Sequence, residues 1–380
     1  MISSRLSRVA PSATIAMSRA AREMTASGID VISLAAGQPD FNTPDFICEV
    51  AIAAMARGET GYTNPDGTAE LKAAIARKFV RDSGLRYTES QISVAPGGKA
   101  VIANALMATL SAGDEVIIPT PCWVSYPEMV KLFDGTPVMV AGGPDFKITP
   151  AQLEAAITPR TRWLFLNSPS NPTGAVYSAS ELEALGEVLL AHEHVLVLSD
   201  DLYEPIVFGV RFATLAAEVP ALKERILTLN GVSKAYAMTG WRVGYGAGPE
   251  WLIEAMRKVI GQTTSCASSI SQAAAIAALD GPQDYLGDWV KTYRARRDFV
   301  VRRLNAVRGV SCGVPEGAFY VFASLDAPDD DAWCEAALRE AHVAMVPGSA
   351  FHAPGHVRLS YATSMERLSE AMDRLETWAR

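Results

Sequence analysis

Short, almost continuous apolar segments alternate with longer segments of helical periodicity along the middle of the chain. The apolar segments are four to six residues long, at residues 92–95, 115–119, 163–166, 195–198 and 225–230. Strands that are buried on both faces have such sequences, whereas strands with one exposed face alternate apolar and polar residues. The pattern therefore predicts an α/β fold, in which helices cover both faces of a mostly parallel sheet.

The pattern changes near residue 284. It predicts an arginine-rich helix over residues 284–307, followed by strands around residues 318–323, 343–346 and 357–361 and by helices at about 330–341 and 364–379. Together with an N-terminal segment, these elements predict a second, smaller α+β domain. The predicted organisation is an arm, a small domain of two segments and a large domain, at residues 1–11, at 12–44 with 284–380, and at 45–283.

Composition narrows the possible classes of function. The 380 residues carry a net charge of −8, whereas a nucleic-acid-binding protein would need a basic surface. No apolar run approaches the ~20 residues of a membrane span, and the N-terminal segment lacks the apolar core of a secretory signal. The five cysteines form no Cys-x-x-Cys pair, and the histidines have no metal-ligand spacing. We therefore expect a cytoplasmic protein without nucleic-acid, membrane or metal partners.

One lysine stands in an unusual setting, in the segment 230–249. Lys234 follows the predicted strand 225–230. Arg242 lies among the small, hydroxyl and glycine residues after it and begins a further predicted strand, 242–247. In α/β proteins, ligands bind at the carboxyl ends of strands. A lysine held there beside a second cation would have a lowered pKa and would suit Schiff-base chemistry, while Arg242 would suit a phosphate. A solvated surface lysine is the alternative interpretation.

Six short motifs support the chemical interpretation, because they occur in register along nearly the whole chain. They are AGQPD at 36–40, PCWVSYP at 121–127, NPTG at 171–174, SDDLY at 199–203, SKAY with GWR at 233–242, and RLS at 358–360. Together they resemble the fold-type I pyridoxal-phosphate enzymes. Within these, the chain is similar to the class I aminotransferases of the aspartate aminotransferase family, in the bacterial aspartate/prephenate aminotransferase branch.

The resemblance implies pyridoxal 5′-phosphate as the cofactor and assigns residues to its ring. Lys234 would bind the cofactor covalently and later carry a proton, and Asp200 would pair with the pyridinium nitrogen. Tyr203 and Asn171 would hydrogen-bond the phenolic oxygen, and Trp123 would stack on the ring. Taken alone, Asp200 could also be a helix N-cap, and Trp123 could be a core residue.

The same resemblance implies how the phosphate is held and how subunits associate. Arg242, Ser233 and the backbone N–H groups of Gly97 and Gly98 would bind the phosphate at the start of a helix. Tyr62 would reach the phosphate of a neighbouring subunit. The resemblance therefore implies a homodimer in which each active site is shared across the interface.

Substrate residues are implied at two ends of the pocket. The expected residues are Arg358 and Gly37 around the α-carboxylate, and Lys99, Ser12 and Thr14 around the distal carboxylate of aspartate. Asn171 and Trp123 are also expected to contact the substrate. Arg358 would form a bidentate fork, although the alternation in this strand also allows a surface arginine. The resemblance implies ping-pong transfer of an amino group from aspartate to 2-oxoglutarate.

Several positions depart from the branch and leave alternatives open. They include Ala10, Cys122, Gly231 and the apolar pair Val101 and Ile102. An aminotransferase for aromatic, prephenate-type or neutral substrates, or a pyridoxal-phosphate lyase, would use the same lysine, aspartate and arginine. A regulator that only senses the cofactor would need an added DNA-binding domain, for which the N-terminal arm is too short.

Overall fold

A computed structural model describes residues 2–380 of the chain. Its strands are β1 (Ile32–Ser33), β2 (Ile92–Ala95), β3 (Glu115–Thr120), β4 (Thr136–Ala141), β5 (Thr161–Asn167), β6 (Leu196–Asp200), β7 (Ile226–Gly231), β8 (Gly244–Ala247), β9 (Val310–Ser311), β10 (Tyr320–Leu325), β11 (Val343–Ala344), β12 (Val346–Pro347) and β13 (His356–Ser360).

Helices connect most of these strands. The α-helices are α1 (Ala13–Ala26), α2 (Asp45–Ala56), α3 (Ala69–Ser83), α4 (Gly98–Thr109), α5 (Ser125–Leu132), α6 (Pro150–Ala156), α7 (Ala179–Ala191), α8 (Leu215–Glu218), α9 (Glu250–Thr263), α10 (Ser269–Asp280), α11 (Asp284–Leu304), α12 (Asp330–Ala336) and α13 (Met365–Trp378).

A seven-stranded sheet in the order β2-β8-β7-β6-β5-β3-β4 is the central layer. Its strands run parallel except β8, which is antiparallel to β2 and β7. Alternate residues of β6 pack into different cores: Leu196 and Leu198 against α4, α5 and α9, and Val197 against the cluster that includes α3, α7 and α10. Because both faces are covered, the strand is apolar without alternation. The predicted α/β fold with a mostly parallel sheet is confirmed.

The order of the sheet brings polar strand ends together. In the parallel register of β5, β6 and β7, Asn167 lies opposite Asp200, which in turn lies opposite Leu229. Lys234 follows β7 by three residues, so it leaves the sheet beside the end of β6. The register therefore fixes the neighbourhood of the two charged groups that the sequence singled out.

The C-terminal part forms a separate four-stranded antiparallel sheet, β12-β13-β10-β9, and a parallel pair, β1-β11. The strand predicted at 343–346 is two short strands, because β11 pairs with β1 whereas β12 pairs with β13. The large sheet lies before residue 284 and the small sheet after it. The division of the chain at residue 284 stays a prediction.

Two elements differ from the sequence prediction. The strand expected from Arg242 begins at Gly244, because Arg242 adopts a left-handed backbone conformation (φ 56°) that ends a short 3-10 helix, Thr239–Trp241. The helix expected over residues 330–341 is α12 followed by a π-helical turn, Ala337–Ala341. In addition, the sequence pattern had assigned no element to α10, which packs against α2 and α3.

The N-terminal arm is held by its own chain. Ser4–Arg8 form a 3-10 helix, and Arg5 and Arg8 pair with Asp134 just beyond α5, at 3.0 and 2.5 Å. The backbone N–H of Ala10 donates to Glu128 at 2.6 Å.

Among the described residues, no helix has both the length and the apolar character needed to cross a bilayer.

Candidate active site

A cavity of about 270 Å³ lies between the strand ends of the large sheet and the strands β10 and β13 of the small sheet. It gathers twelve residues that the sequence had singled out. They are Thr14, Gly37, Gly98, Lys99, Trp123, Asn171, Asp200, Tyr203, Ser233, Lys234, Arg242 and Arg358.

The amine of Lys234 lies in this cavity. Its Nζ donates to the Gly37 carbonyl and lies 5.9 and 6.0 Å from the ring centroids of Tyr203 and Phe319. Burial, and then the positive charges of Arg358 and Arg242, lower the pKa of Lys234 to about 8, against the opposing effect of Asp200. A substantial fraction of the amine is therefore neutral just above physiological pH, as covalent chemistry at a lysine requires.

Asp200 is buried at the end of β6, where it can meet a cationic ligand atom. One carboxylate oxygen accepts from the Tyr126 hydroxyl at 2.5 Å, and the other accepts from the Leu202 N–H at 3.2 Å. Burial raises the pKa of Asp200 to about 6, and the Tyr126 and Leu202 hydrogen bonds and the charge of Lys234 oppose this. No helix begins at Asp200 in the described chain, so the N-cap interpretation does not apply.

Tyr126 is a cavity residue to which sequence reasoning gave no role. It belongs to the motif at residues 121–127, and it lies one helical turn beyond Trp123, with the two rings packed edge to face at 5.4 Å. A tyrosine at this spacing is also typical of a core position. Only the position of α5 relative to β6 brings its hydroxyl to the Asp200 carboxylate.

Glycines let the start of α4 and the strand β8 approach each other closely. Gly97 precedes α4 with φ 89°, and a side chain there would overlap the guanidinium of Arg242. A side chain at Gly244 would overlap the backbone of Gly97 and Gly98. Substitution at either position would therefore displace Arg242 or the helix N-terminus.

This end of the cavity has the groups of an anion site. Arg242 donates to the carbonyls of Thr239 at 2.9 Å and Pro96 at 3.3 Å, which holds its guanidinium beside the N-terminus of α4. Ser233 and Gly98 line the same wall. A helix N-terminus, a guanidinium and a hydroxyl together favour a phosphate.

Arg358 is a buried cation without a carboxylate partner among residues 2–380. Only 1% of its surface is exposed, so it is not a surface arginine. It donates to the Asn171 side-chain oxygen at 2.9 Å and to the Ala35 carbonyl at 2.6 Å, while its Nε has no partner in the described residues. Tyr320 and Phe351 lie under the guanidinium, at 4.6 and 5.0 Å. A buried, unpaired cation of this kind suits an anionic ligand.

Lys99 lines the cavity from the first turn of α4. Its Nζ donates to the Ser125 hydroxyl at 3.0 Å and lies 4.8 Å from the Trp123 ring centroid. Burial of the ammonium, followed by the charge of Arg242, lowers the pKa of Lys99. Thr14, from α1, lines the cavity on this side. The arrangement leaves a second cation free to meet a ligand.

Three sequence-predicted residues do not line the cavity. Gly97 lies beneath Arg242, and Ser12 is the residue just before α1, two positions from Thr14. Tyr62 is 93% exposed on the loop between α2 and α3, outside the cavity of its own subunit. A role for Tyr62 in catalysis would therefore require a second subunit.

The chain matches the family model described as aminotransferase class I and II over residues 29–375. It is 52% identical to an aspartate/prephenate aminotransferase of Cereibacter sphaeroides, with 99% of this chain and 98% of that protein covered. It is 51% identical to an aspartate aminotransferase of Rhizobium meliloti, with 98% of this chain and 94% of that protein covered.

Solved structures agree with the sequence relatives. The crystal structure of the aspartate aminotransferase from Rhizobium meliloti superposes with a TM-score of 0.96 at 50% identity, covering 100% of this chain and 98% of that one. The aspartate aminotransferase from Thermus thermophilus with maleate superposes with a TM-score of 0.95 at 42% identity, covering 100% and 99%.

Proposed function

Because the chain belongs to the class I and II aminotransferase family, we propose that its cavity binds pyridoxal 5′-phosphate and transfers an amino group from aspartate to 2-oxoglutarate. The observation that carries this proposal is the juxtaposition in one cavity of Lys234, with its lowered pKa, and the buried, unpaired cation Arg358. The charges of both Arg358 and Arg242 act on the Lys234 amine, so two sites for anionic groups lie near it.

The residues of the cavity fit this cofactor. The N-terminus of α4 and Arg242 would hold its phosphate. Gly97 allows Arg242 to take this position, because a side chain at Gly97 would displace the guanidinium. Asp200 would accept the ring N–H, and Trp123 would cover the ring face. When bound, pyridoxal phosphate supplies an electron sink that stabilises negative charge at the substrate α-carbon.

The protein side chains would divide the remaining work. Arg358 would bind the substrate α-carboxylate and so fix the orientation of the α-carbon. The Lys234 amine, neutral above a pH of about 8, would accept the proton from that carbon and return it to the C4′ carbon of the cofactor. Asp200, an ionised carboxylate above a pH of about 6, would keep a proton on the ring nitrogen. Tyr203 and Asn171 would donate to the phenolic oxygen.

The choice of a dicarboxylate substrate rests on Lys99. Its ammonium lines the same cavity as Arg358 and has a hydroxyl and an aromatic ring as neighbours, rather than a carboxylate. Two cations without carboxylate partners in one cavity favour a substrate with two carboxylates. The apolar Ile102 also lines this wall, so an aminotransferase for aromatic or prephenate-type substrates is the alternative.

A single-turnover experiment tests the function. Amino acids are added one at a time to the cofactor-bound protein, and conversion to the amino form of the cofactor is followed by absorbance. We expect aspartate and glutamate to react, and the variant K99Q to raise the half-saturating aspartate concentration about tenfold to a hundredfold, without changing that for phenylalanine. The exposed Lys258, outside the cavity, provides the control K258Q. Reaction of aromatic or neutral amino acids alone would refute the aspartate assignment.

We also propose a homodimer with shared active sites. The supporting observation is Tyr62, whose side chain is almost fully exposed; Ile52 and Met55 of the preceding helix α2 are exposed as well. Exposed apolar side chains of this kind are typical of an interaction surface, and in a two-fold dimer each Tyr62 would enter the partner's cavity. The predicted cytoplasmic location stays a prediction.

Subunit mixing distinguishes a shared site from a self-contained one. The variants K234A and Y62A are each expected to be nearly inactive, and random mixing should restore about a quarter of wild-type activity, because half the dimers carry one intact site of two. Mixing K234A with D200A is the control, since both changes lie in the cavity of one subunit. Equal recovery in the two mixtures, or none in either, would contradict the proposed exchange of Tyr62.

A further inference from the structure

Tyr320, at the start of β10, joins two functional groups of the cavity, and sequence reasoning gave it no role. It is fully buried and lines the cavity. In the antiparallel pairing of β10 and β13, Tyr320 lies opposite Ser360, and Phe322 lies opposite Arg358. Tyr320 and Arg358 are thus diagonal neighbours on one face of the small sheet, which explains their contact.

The hydroxyl of Tyr320 meets Tyr203 from the other sheet. The two hydroxyl oxygens are 2.8 Å apart, and the rings pack edge to face with centroids 5.8 Å apart. Gly37 is required beside this pair, because a side chain there would come within 2.6 Å of the Tyr320 hydroxyl oxygen. The backbone that would bound the substrate carboxylate is therefore shaped around Tyr320.

The direction of this hydrogen bond follows from the single proton of each hydroxyl. A tyrosine hydroxyl donates once and can accept from other donors. If Tyr203 donates to the phenolic oxygen of the cofactor, its own oxygen can only accept from Tyr320. A donor that itself accepts a hydrogen bond is polarised and donates more strongly. The Arg358 guanidinium lies against the Tyr320 ring. Its positive charge increases this effect, because it makes the Tyr320 hydroxyl a stronger hydrogen-bond donor.

We propose that Tyr320 is a positioning residue that donates its hydroxyl to Tyr203, strengthens the bond from Tyr203 to the cofactor's phenolic oxygen, and so couples that bond to Arg358. This inference rests on the proposed function. It concerns a tyrosine from the small sheet that acts through a tyrosine from the large sheet. Its consequence is that the protonation equilibrium of the bound cofactor depends on a residue that does not contact the reacting atoms.

The variant Y320F tests the hydroxyl alone, because it keeps the ring under Arg358. A weaker donor at Tyr203 stabilises the ionised phenolic oxygen less. The pH midpoint of the bound cofactor's absorbance should therefore rise by about 0.3–1 pH unit. The half-saturating aspartate concentration should stay within about twofold, since the Arg358 stacking remains, while turnover falls several-fold.

The variant Y293F is a matched control. Tyr293 lies in the same apolar cluster, is equally buried, and its hydroxyl has no partner among residues 2–380. It undergoes the same chemical change as Y320F without touching the cavity. We expect its absorbance midpoint to coincide with that of the wild type, so that a shift seen only in Y320F cannot come from general loosening of this core.

A double-variant comparison decides whether Tyr320 acts through Tyr203. In the Y203F background, adding Y320F should produce no further shift, because the acceptor hydroxyl is already absent. An undiminished shift in that background, or coincident titrations of Y320F and wild type, would overturn the proposal. If the wild-type protein itself shows no pH-dependent cofactor absorbance, the proposed function fails instead, so the two failures can be told apart.

Discussion

Replacement of Lys234 by alanine is expected to lower transamination by at least about 10⁴-fold, because it removes both the covalent attachment point and the group that moves the proton. The pH-dependent absorbance change of the bound cofactor should also disappear. Both quantities can be measured on one preparation, by steady-state assay and by spectrophotometric titration. Persistence of that titration in the alanine variant would contradict the assignment of Lys234.

The variant K234R tests whether catalysis needs the reactive amine of Lys234 or only its positive charge. Arginine keeps the positive charge near Asp200 but does not lose its proton in the accessible pH range. We therefore expect K234R to be as inactive as K234A while retaining affinity for the cofactor, which a phosphate-binding assay or equilibrium dialysis would measure. K258A, an exposed substitution on α9, controls for handling and should leave activity unchanged.

Substitution of Arg358 by lysine is expected to lower kcat/KM for aspartate by about 10²–10⁴-fold, because lysine keeps the charge but loses the planar fork that binds a carboxylate at two points. The loss should appear for the amino acid and the oxo acid alike, since both present the same carboxylate. Measuring kcat/KM for each half-reaction separately checks this.

Arg297 provides a matched control for the Arg358 variant. It is also buried, with its Nη1 donating to the Pro315 carbonyl at 3.0 Å, but it lies outside the cavity. The variant R297K should affect thermal stability and leave kcat/KM within a few-fold of wild type. A similar loss of kcat/KM in both variants would mean that Arg358 acts through the packing of the small sheet rather than by binding the substrate.

Much of the cavity could be predicted from the sequence because strand ends are local features. The apolar segments before Asp200 and Lys234 identify two buried strands, and the mostly parallel topology requires their carboxyl ends to lie at one edge of the sheet. The predicted strand start at Arg242 was wrong. No sequence feature distinguishes the left-handed turn at this residue from the start of a strand.

The paired tyrosines show what could not be predicted in this way. Tyr203 and Tyr320 are 117 residues apart, and neither segment by itself indicates that the two side chains meet. Their hydroxyls meet only because the large and small sheets pack at one cavity. The contact of Tyr126 with Asp200 depends in the same way on where α5 lies relative to β6.

Periodicity and residues close together in the chain were enough to predict the alternation of strands and helices around the large sheet, the family motifs, and Lys234 as the candidate nucleophile. Three facts emerged only from the packing of distant segments: Arg358 is buried without a carboxylate partner in the described residues, Tyr62 lies exposed outside the cavity of its own subunit, and Tyr320 contacts Tyr203. Burial and side-chain contact between distant segments arise from packing, and no local pattern records them.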